Sequence, residues 1–456
     1  MDTPIYDFVK KYVSEDPIRL HMPGHKGVSS ILGTEKNDIT EIDGADYLSA
    51  PCGIIGKSEE NAGKLFGCST FYSTEGSSLC IRAMLFLIKK YSLKKGHEPV
   101  ILAGRNAHVS FINAAAILDI DVRWIMQREC DSYETCTITG EYLESIFSNY
   151  RKPDALYVTS PDYLGNMTDI AELSKVCHKN GVLLLVDNAH GAYLKFLKDS
   201  LHPMDLGADM CCDSAHKTLP VLTGGAYLNV SDAAPGFFKE FARQALSVFA
   251  TSSPSYLILQ SLDLCNRYLS GNTEIQDTAE KVAVLKQKIK EYGYVLMGDE
   301  PLKITVCCPG AEFTGDHLAG LLKDRQIYVE YYDTEHVVMM FSGRIEDKNF
   351  EKIEKAFWEI SEVHDFTPYK KIDPVLNRGE SRRKKLPEKA MTFKEALFAD
   401  SKEAEAEYSV GRILAEPMLH CPPCVPLLVM GEIIDEETVG RLKGKVRIVV
   451  ESTKRK

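Results

Sequence analysis

Between about residues 75 and 230 the chain alternates short apolar runs with longer amphipathic ones, and this alternation restricts the fold more than any other feature. The apolar runs predict strands over Val100–Ala103, Val122–Met126, Ala155–Thr159, Val182–Asp187, Met210–Asp213 and Ala226–Val230. Ser78–Tyr91, Ala107–Leu118 and Asp169–Asn180 lie between them and read as helices, with Gly181 where a helix C-terminal glycine belongs. Such alternation needs right-handed crossovers, which gives an α/β domain on a mostly parallel sheet. Ligands of these sheets bind beyond the carboxyl ends of the strands, so chemistry is expected just after the apolar runs.

Three features fall at such ends. STEGSS (Ser73–Ser78) runs straight into a helix, where glycine permits close backbone approach and hydroxyls with free amides suit a phosphate dianion. The same pattern also serves as a simple helix cap. LLLVDNAHGAY ends a strongly apolar strand on Asp187, with His190 one turn on. A carboxylate there either pairs with a protonated pyridine nitrogen or caps the following turn. DMCCDSAHKTLP places Ser214, His216 and Lys217 past the next strand. A lysine at such a place is expected to be desolvated and nucleophilic towards an aldehyde; the alternative is a surface lysine on a loop. One crossover separates Asp187 from Lys217, so both can reach one ligand, and the three features together point to pyridoxal phosphate.

Beyond residue 270 the pattern changes. The helix Thr278–Tyr292 precedes strand-like Lys303–Cys307 and Val337–Phe341, as in a smaller α+β domain, and Arg378–Lys389 reads as a charged connector to a last unit. The net charge of −11 argues against nonspecific nucleic-acid binding, which needs basic surface. No apolar run reaches the roughly 18 to 20 residues that span a bilayer, and the opening segment lacks a secretory pattern, so a cytoplasmic, membrane-free protein is expected. Thirteen cysteines, many in core-like segments such as Cys177, Cys211 and Cys212, suit buried free thiols better than a disulfide framework.

These residues resemble the Orn/Lys/Arg decarboxylases, and in particular their short bacterial forms without an N-terminal wing domain. LHMPGHKG (Leu20–Gly27) matches the family's opening motif, and SAPCGIIGKSEENAGKLFGCSTFYSTEGSS the segment leading into its phosphate cup. RNAHVS (Arg105–Ser110) resembles its RNxHKS motif and SAHKTLPVLTGG its Schiff-base motif. GRILAE with PPCVPLLVMGE resembles its C-terminal signature. The resemblance implies a fold type I, aspartate-aminotransferase-like architecture. Its parts would be an N-terminal segment (1–60), a large cofactor-binding domain (61–268), a small α+β domain (269–375) and a C-terminal α+β domain (376–456).

By the same resemblance Lys217 is the Schiff-base lysine, Asp187 holds the ring nitrogen protonated, and His108 stacks on the ring. Ser77, Ser78, Ser214 and His216 surround the phosphate, with His190 alongside the cofactor. TSSPSY (Thr251–Tyr256) resembles the segment that donates a hydroxyl to the partner subunit's phosphate, which implies a homodimer or larger homo-oligomer with interface active sites. The implied reaction is α-decarboxylation of a basic amino acid, arginine first and lysine or ornithine next, feeding polyamine synthesis. IYVEYYD (Ile327–Asp333) resembles the family's IEVExxD segment, so Glu330 or Asp333 is a candidate for the substrate's distal cation; a solvated edge strand is the alternative.

The chain also departs from the pattern. Val109 stands where lysine is usual, STEGSS replaces a glycine–threonine pairing, and CPPC (Cys421–Cys424) stands for YPPG, beside His420. No second C-x-x-C completes a zinc site, and no metal is expected. His21, His25 and Lys26 either reach the site mouth or decorate a Pro-Gly turn. Two other functions compete: a different fold type I reaction such as transamination or C–S lysis, for which Arg325 or Arg344 would have to grip a carboxylate, and a catalytically weakened paralogue.

Overall fold

The computed structural model describes residues 1–126, 135–308, 313–364, 386–419, 424–442 and 444–450. The chain divides into two compact units, one of Met1–Leu87, Leu183–Lys281 and Phe341–Ile345, the other of Ile88–Val182, Val282–Met340 and Glu346–Lys456.

The strands of the mostly parallel α/β part are β1 (Ser69–Ser73), β2 (Val100–Gly104), β3 (Asp121–Ile125), β4 (Ala155–Thr159), β5 (Leu183–Asp187), β6 (Met210–Asp213) and β7 (Ala226–Val230). In the first unit their order is β1-β7-β6-β5, and in the second β4-β2-β3. β5 and β6 run parallel, as do β2 with β3 and with β4, while β7 runs antiparallel to both β1 and β6. Parallel strands are covered on both faces, which is why LLLVD and MCCD are almost continuously apolar and buried. The register sets Asp187 beside Cys212, so β5 and β6 finish together.

The predicted strands lie where expected, to within a residue or two. β1 is an addition that the apolar pattern did not announce, because STFYS is half polar and its pairing comes from β7. The predicted helix Ala107–Leu118 starts later, at Val109, because His108 takes the N-cap and accepts from the Ser110 amide through Nδ1 at 3.1 Å. The helix Ile170–Lys179 is capped by Asp169, and Gly181 follows at φ 70°.

In the second unit, β8 (Val295–Met297), β9 (Lys303–Cys307), β10 (Tyr331–Tyr332) and β11 (His336–Met340) form an antiparallel sheet in the order β10-β11-β9-β8. Of Ile327–Asp333, for which an edge strand is the alternative reading, Tyr331 and Tyr332 pair with Val338 and Val337, and the Glu330 and Asp333 amides donate to the Val338 and His336 carbonyls on either side. The C-terminal part packs Leu414, Leu428, Ile434, Val446 and Ile448 beneath two small ribbons, β12 (Ser401–Glu405) with β15 (Lys445–Val449) and β13 (Met418–Leu419) with β14 (Pro426–Leu428). Most of the expected connector Arg378–Lys389, together with His420 and Cys421, lies outside the described residues. All eleven described cysteines are free thiols. Burial pushes the Cys68 thiol up to about 12 and those of Cys211 and Cys212 well above their ordinary value, as expected of inert core residues.

Candidate active site

In the first unit the ends of β5 and β6 bring the sequence candidates Lys217, His190 and Asp187 together. Past β6, the short helix Ala215–Thr218 turns Ala215 and Thr218 inward and leaves Lys217 outward. The Lys217 Nζ lies 3.0 Å from His190 Nε2, on the turn after β5. Asp187, 2% exposed, accepts from the Ala189 amide at 3.2 Å and from the Cys212 thiol at 3.5 Å, both through Oδ1. One expectation needs correction: Lys217 is exposed rather than desolvated, because the buried positions of its four-residue helix belong to its neighbours.

The Gly/Ser-rich loop adjoins these groups. Ser214 donates its hydroxyl to Ser77 Oγ at 2.7 Å, which ties the end of β6 to the start of the helix Gly76–Lys94. Gly76 has φ 70°, and a Cβ there would sit 3.9 Å from the His216 ring. Gly224 accepts from the Gly76 amide at 2.7 Å, and its own Cβ would meet the Thr74 carbonyl at 2.8 Å, so glycine is required at 224 for so close a backbone approach. Ser78 is half-buried one residue further along the same helix. The His216 Nδ1–H donates to the Gly225 carbonyl at 3.0 Å, and burial holds the imidazole below its usual pKa. Thr251 lies against this loop in its own chain, its amide donating to Glu75 Oε1 at 2.8 Å.

Beneath these groups is a network that the sequence reading missed. Asp213 is fully buried and accepts from Asn188 Nδ2 at 2.5 Å, Asn229 Nδ2 at 2.6 Å and His202 Nε2 at 3.1 Å. The Met204 amide donates to His202 Nδ1 at 3.3 Å, which leaves Nε2 as the nitrogen that faces Asp213. His202, Cys211 and Asp213 could approach one metal ion, but both Asp213 oxygens are already occupied by N–H donors. The carboxylate joins the 187–190 turn to the 213–217 turn. Its signal in the sequence was a second strand-end aspartate, with an asparagine inside the otherwise apolar AYLNV strand.

The second unit holds His108 at the end of the β2 loop, its Nδ1 also 3.0 Å from the Ser110 hydroxyl. Just before it, Arg105 is 2% exposed and donates to the Pro426 and Leu427 carbonyls and to Glu432 Oε2 at 3.1 Å, with its guanidinium 5.1 Å from the Trp124 ring centroid. The Val109 amide donates to the Cys424 carbonyl at 3.1 Å. RNAHVS and the C-terminal PLLVMGE are thus two halves of one contact. Cys424 has φ 58°, which explains why glycine is usual there.

Glu330 is exposed and accepts the Tyr163 hydroxyl, from the loop after β4, at 3.2 Å. Asp333 is spent on its own turn, accepting from the Glu335 and His336 amides and the Tyr331 hydroxyl; together with the His336 ring these hold its carboxyl below the usual range despite burial. The arginines a transaminase would need are paired, Arg325 with Glu359 and Arg344 with Glu274. His21 contacts the Tyr12 hydroxyl at 2.6 Å, His25 pairs with Asp38 at 3.2 Å, and Lys26 donates to the His21 carbonyl.

A reachable lysine amine, a buried strand-end carboxylate and a serine-lined helix start on one sheet end fit a phosphorylated pyridine aldehyde, and with this fold they define a fold type I pyridoxal-phosphate enzyme. The sequence profile of "Orn/Lys/Arg decarboxylase, major domain" matches residues 3–295, and the chain belongs to that family of pyridoxal-phosphate-dependent decarboxylases. It is 28% identical to an arginine decarboxylase of Bacillus subtilis (strain 168), over 96% of this chain and 92% of that one. It is 27% identical to the arginine decarboxylase of Halalkalibacterium halodurans, over 97% and 93%. Among solved structures, the constitutive lysine decarboxylase of E. coli superposes with a TM-score of 0.76 at 18% identity, covering 98% of this chain and 82% of that one. The Francisella novicida lysine decarboxylase gives 0.78 at 16%, covering 98% and 81%.

Proposed function

We propose that this chain removes the α-carboxylate of a basic amino acid, arginine first and lysine or ornithine next, and releases CO2 and the corresponding amine. The observation that carries the reading is the convergence of Lys217, Asp187 and the Ser77–Ser214 pair at one end of the sheet in a member of this family. Full-length likeness to arginine decarboxylases supports arginine as the first choice.

When bound, pyridoxal phosphate supplies an electron sink for the pair released from the Cα–carboxylate bond. The residues would divide the work as follows. Lys217 would hold the cofactor through its amine, and Asp187 would face the ring nitrogen and keep it protonated. Ser77, Ser78, Ser214 and His216 receive the phosphate with the helix start behind them. His108 covers one ring face, and His190 stands beside Lys217. Glu330, steered by Tyr163, receives the distal guanidinium or ammonium, whereas Asp333 shapes the turn that carries Glu330.

The 1–60, 61–268, 269–375 and 376–456 divisions belong to this reading, as do a homodimer with shared sites, a cytoplasmic location and a place in polyamine synthesis. Thr251 would then serve a phosphate at its own loop or at a partner's. The test is to incubate cofactor-loaded protein with arginine, lysine and ornithine separately and to measure CO2 and amine. Release from one substrate, lost in Lys217→Ala, is expected; no release from any of the three overturns the reading.

A further inference from the structure

Lys217 is exposed, so burial does not supply the neutral amine that attack on an aldehyde requires. A lysine amine in water is an ammonium at neutral pH and has no lone pair to offer. A base must take its proton, and one lies in contact: His190 Nε2, 3.0 Å from Lys217 Nζ, on a ring only 5% exposed. An ammonium has only donors, so the nitrogen facing it accepts.

The support of His190 is rigid. Asn188 is held by Asp213 at 2.5 Å, and the Gly191 amide closes the turn on the Asn188 carbonyl at 2.8 Å. A Cβ at 191 would come within 2.0 Å of Asn188 Oδ1, so any other residue there would displace the Asn188 side chain that Asp213 holds. His190 is thus a fixed base and Lys217 a movable arm on the neighbouring strand end.

We propose that His190 is the acid–base partner of Lys217, taking a proton from the ammonium when the lysine bonds the cofactor aldehyde and returning one when the substrate amine displaces it. The inference rests on the reading of Lys217 as the cofactor lysine. On attachment the ammonium starts with three protons. One moves to His190 Nε2, and the lone pair so freed forms the C–N bond. The aldehyde oxygen leaves as water with that proton, handed over by His190, and a second from nitrogen. The third stays on nitrogen, so the single positive charge is conserved and His190 ends neutral. The other titratable groups on the surrounding elements are Asp187, Tyr193, Lys195, Cys211, Cys212, Asp213, His216 and Tyr227, and burial keeps both thiols protonated. The Nε2 that faces Nζ has the lone pair to take that proton and, once protonated, the N–H to return it.

The test uses cofactor-free full-length protein and no substrate. Pyridoxal phosphate is added, and the rise of the lysine-bound cofactor's absorbance is followed by stopped flow from pH 6 to 9, with Lys217→Ala as the blank. General acid–base assistance contributes about 100-fold or more, so His190→Gln, which still offers Nζ a hydrogen-bond acceptor, should load about 100-fold more slowly at pH 7.5. Its rate should also keep climbing with pH where the wild type levels off, and added imidazole should accelerate His190→Ala. Loading of His190→Gln at the wild-type rate with the wild-type profile overturns the proposal. So does a slow His190→Ala that imidazole leaves unchanged, which is how a merely structural histidine behaves. A wild-type protein that takes up no cofactor would instead remove the underlying site reading.

Discussion

The ion pair between Arg105 and Glu432 offers the most exacting check on how the site is supported. Both side chains are 2% exposed and their charged atoms are 3.1 Å apart, with the Val429 amide also on Glu432 Oε2 at 2.8 Å. Glu432→Gln keeps the shape and an acceptor for that amide but leaves the guanidinium charge uncompensated. Arg105 Nε already lacks an acceptor, so no spare partner is at hand. Breaking one side of a buried pair costs about 3–5 kcal/mol, and the amide bond that Gln retains places this case near about 3 kcal/mol. At roughly 2–4 °C per kcal/mol for a unit of this size, the melting temperature should fall by about 6–12 °C in differential scanning calorimetry. The double variant Arg105→Met/Glu432→Leu, with neither charge left, should recover most of the loss. A Glu432→Gln protein that melts within about 1 °C of wild type would refute the argument, because the pair would then contribute no more than a surface contact.

Other expectations concern separate parts of the molecule. Cys424→Gly removes a side chain from a residue at φ 58° and should stabilise by up to about 1 kcal/mol, read from chemical denaturation; a loss of that size would show that the thiol's packing outweighs the backbone strain. Asp263 caps the helix Pro4–Ser14 through the Ile5 and Tyr6 amides and accepts from Ser58, yet burial raises its carboxyl from 3.8 to about 6. A raised carboxyl favours the folded state fully below pH 4 and loses that contribution as pH rises through 6, so Asp263→Asn should lose less stability than wild type between pH 4 and 7, by about 2–3 kcal/mol. Melting curves that shift in parallel over that range would rule this out. Glu330→Gln should raise KM for the basic substrate about tenfold or more with kcat less affected, whereas Asp333→Asn should chiefly lower thermal stability; steady-state kinetics beside melting curves separate the two.

The sequence by itself determined the strand–helix alternation and, with it, where the chemistry would fall. A buried parallel strand must be apolar to its end and turn polar where it leaves the sheet, so Asp187 and Lys217 could be marked from local pattern alone. What only the tertiary structure decided are contacts between residues distant along the chain. Arg105 and Glu432 are 327 positions apart, and neither carries a local sign of the other. Asp213 draws Asn188, His202 and Asn229 from three different segments, and pairing with β7 rather than composition makes Ser69–Ser73 a strand. Exposure, too, belongs to three dimensions: Lys217 follows a buried strand yet stands in solvent, because a four-residue helix has only two inward positions and Ala215 and Thr218 occupy them. Glu330 and Asp333 are alike in sequence, and only the fold gives one to Tyr163 and the other to its own turn, since a carboxylate bonds to whichever donors the backbone brings within reach.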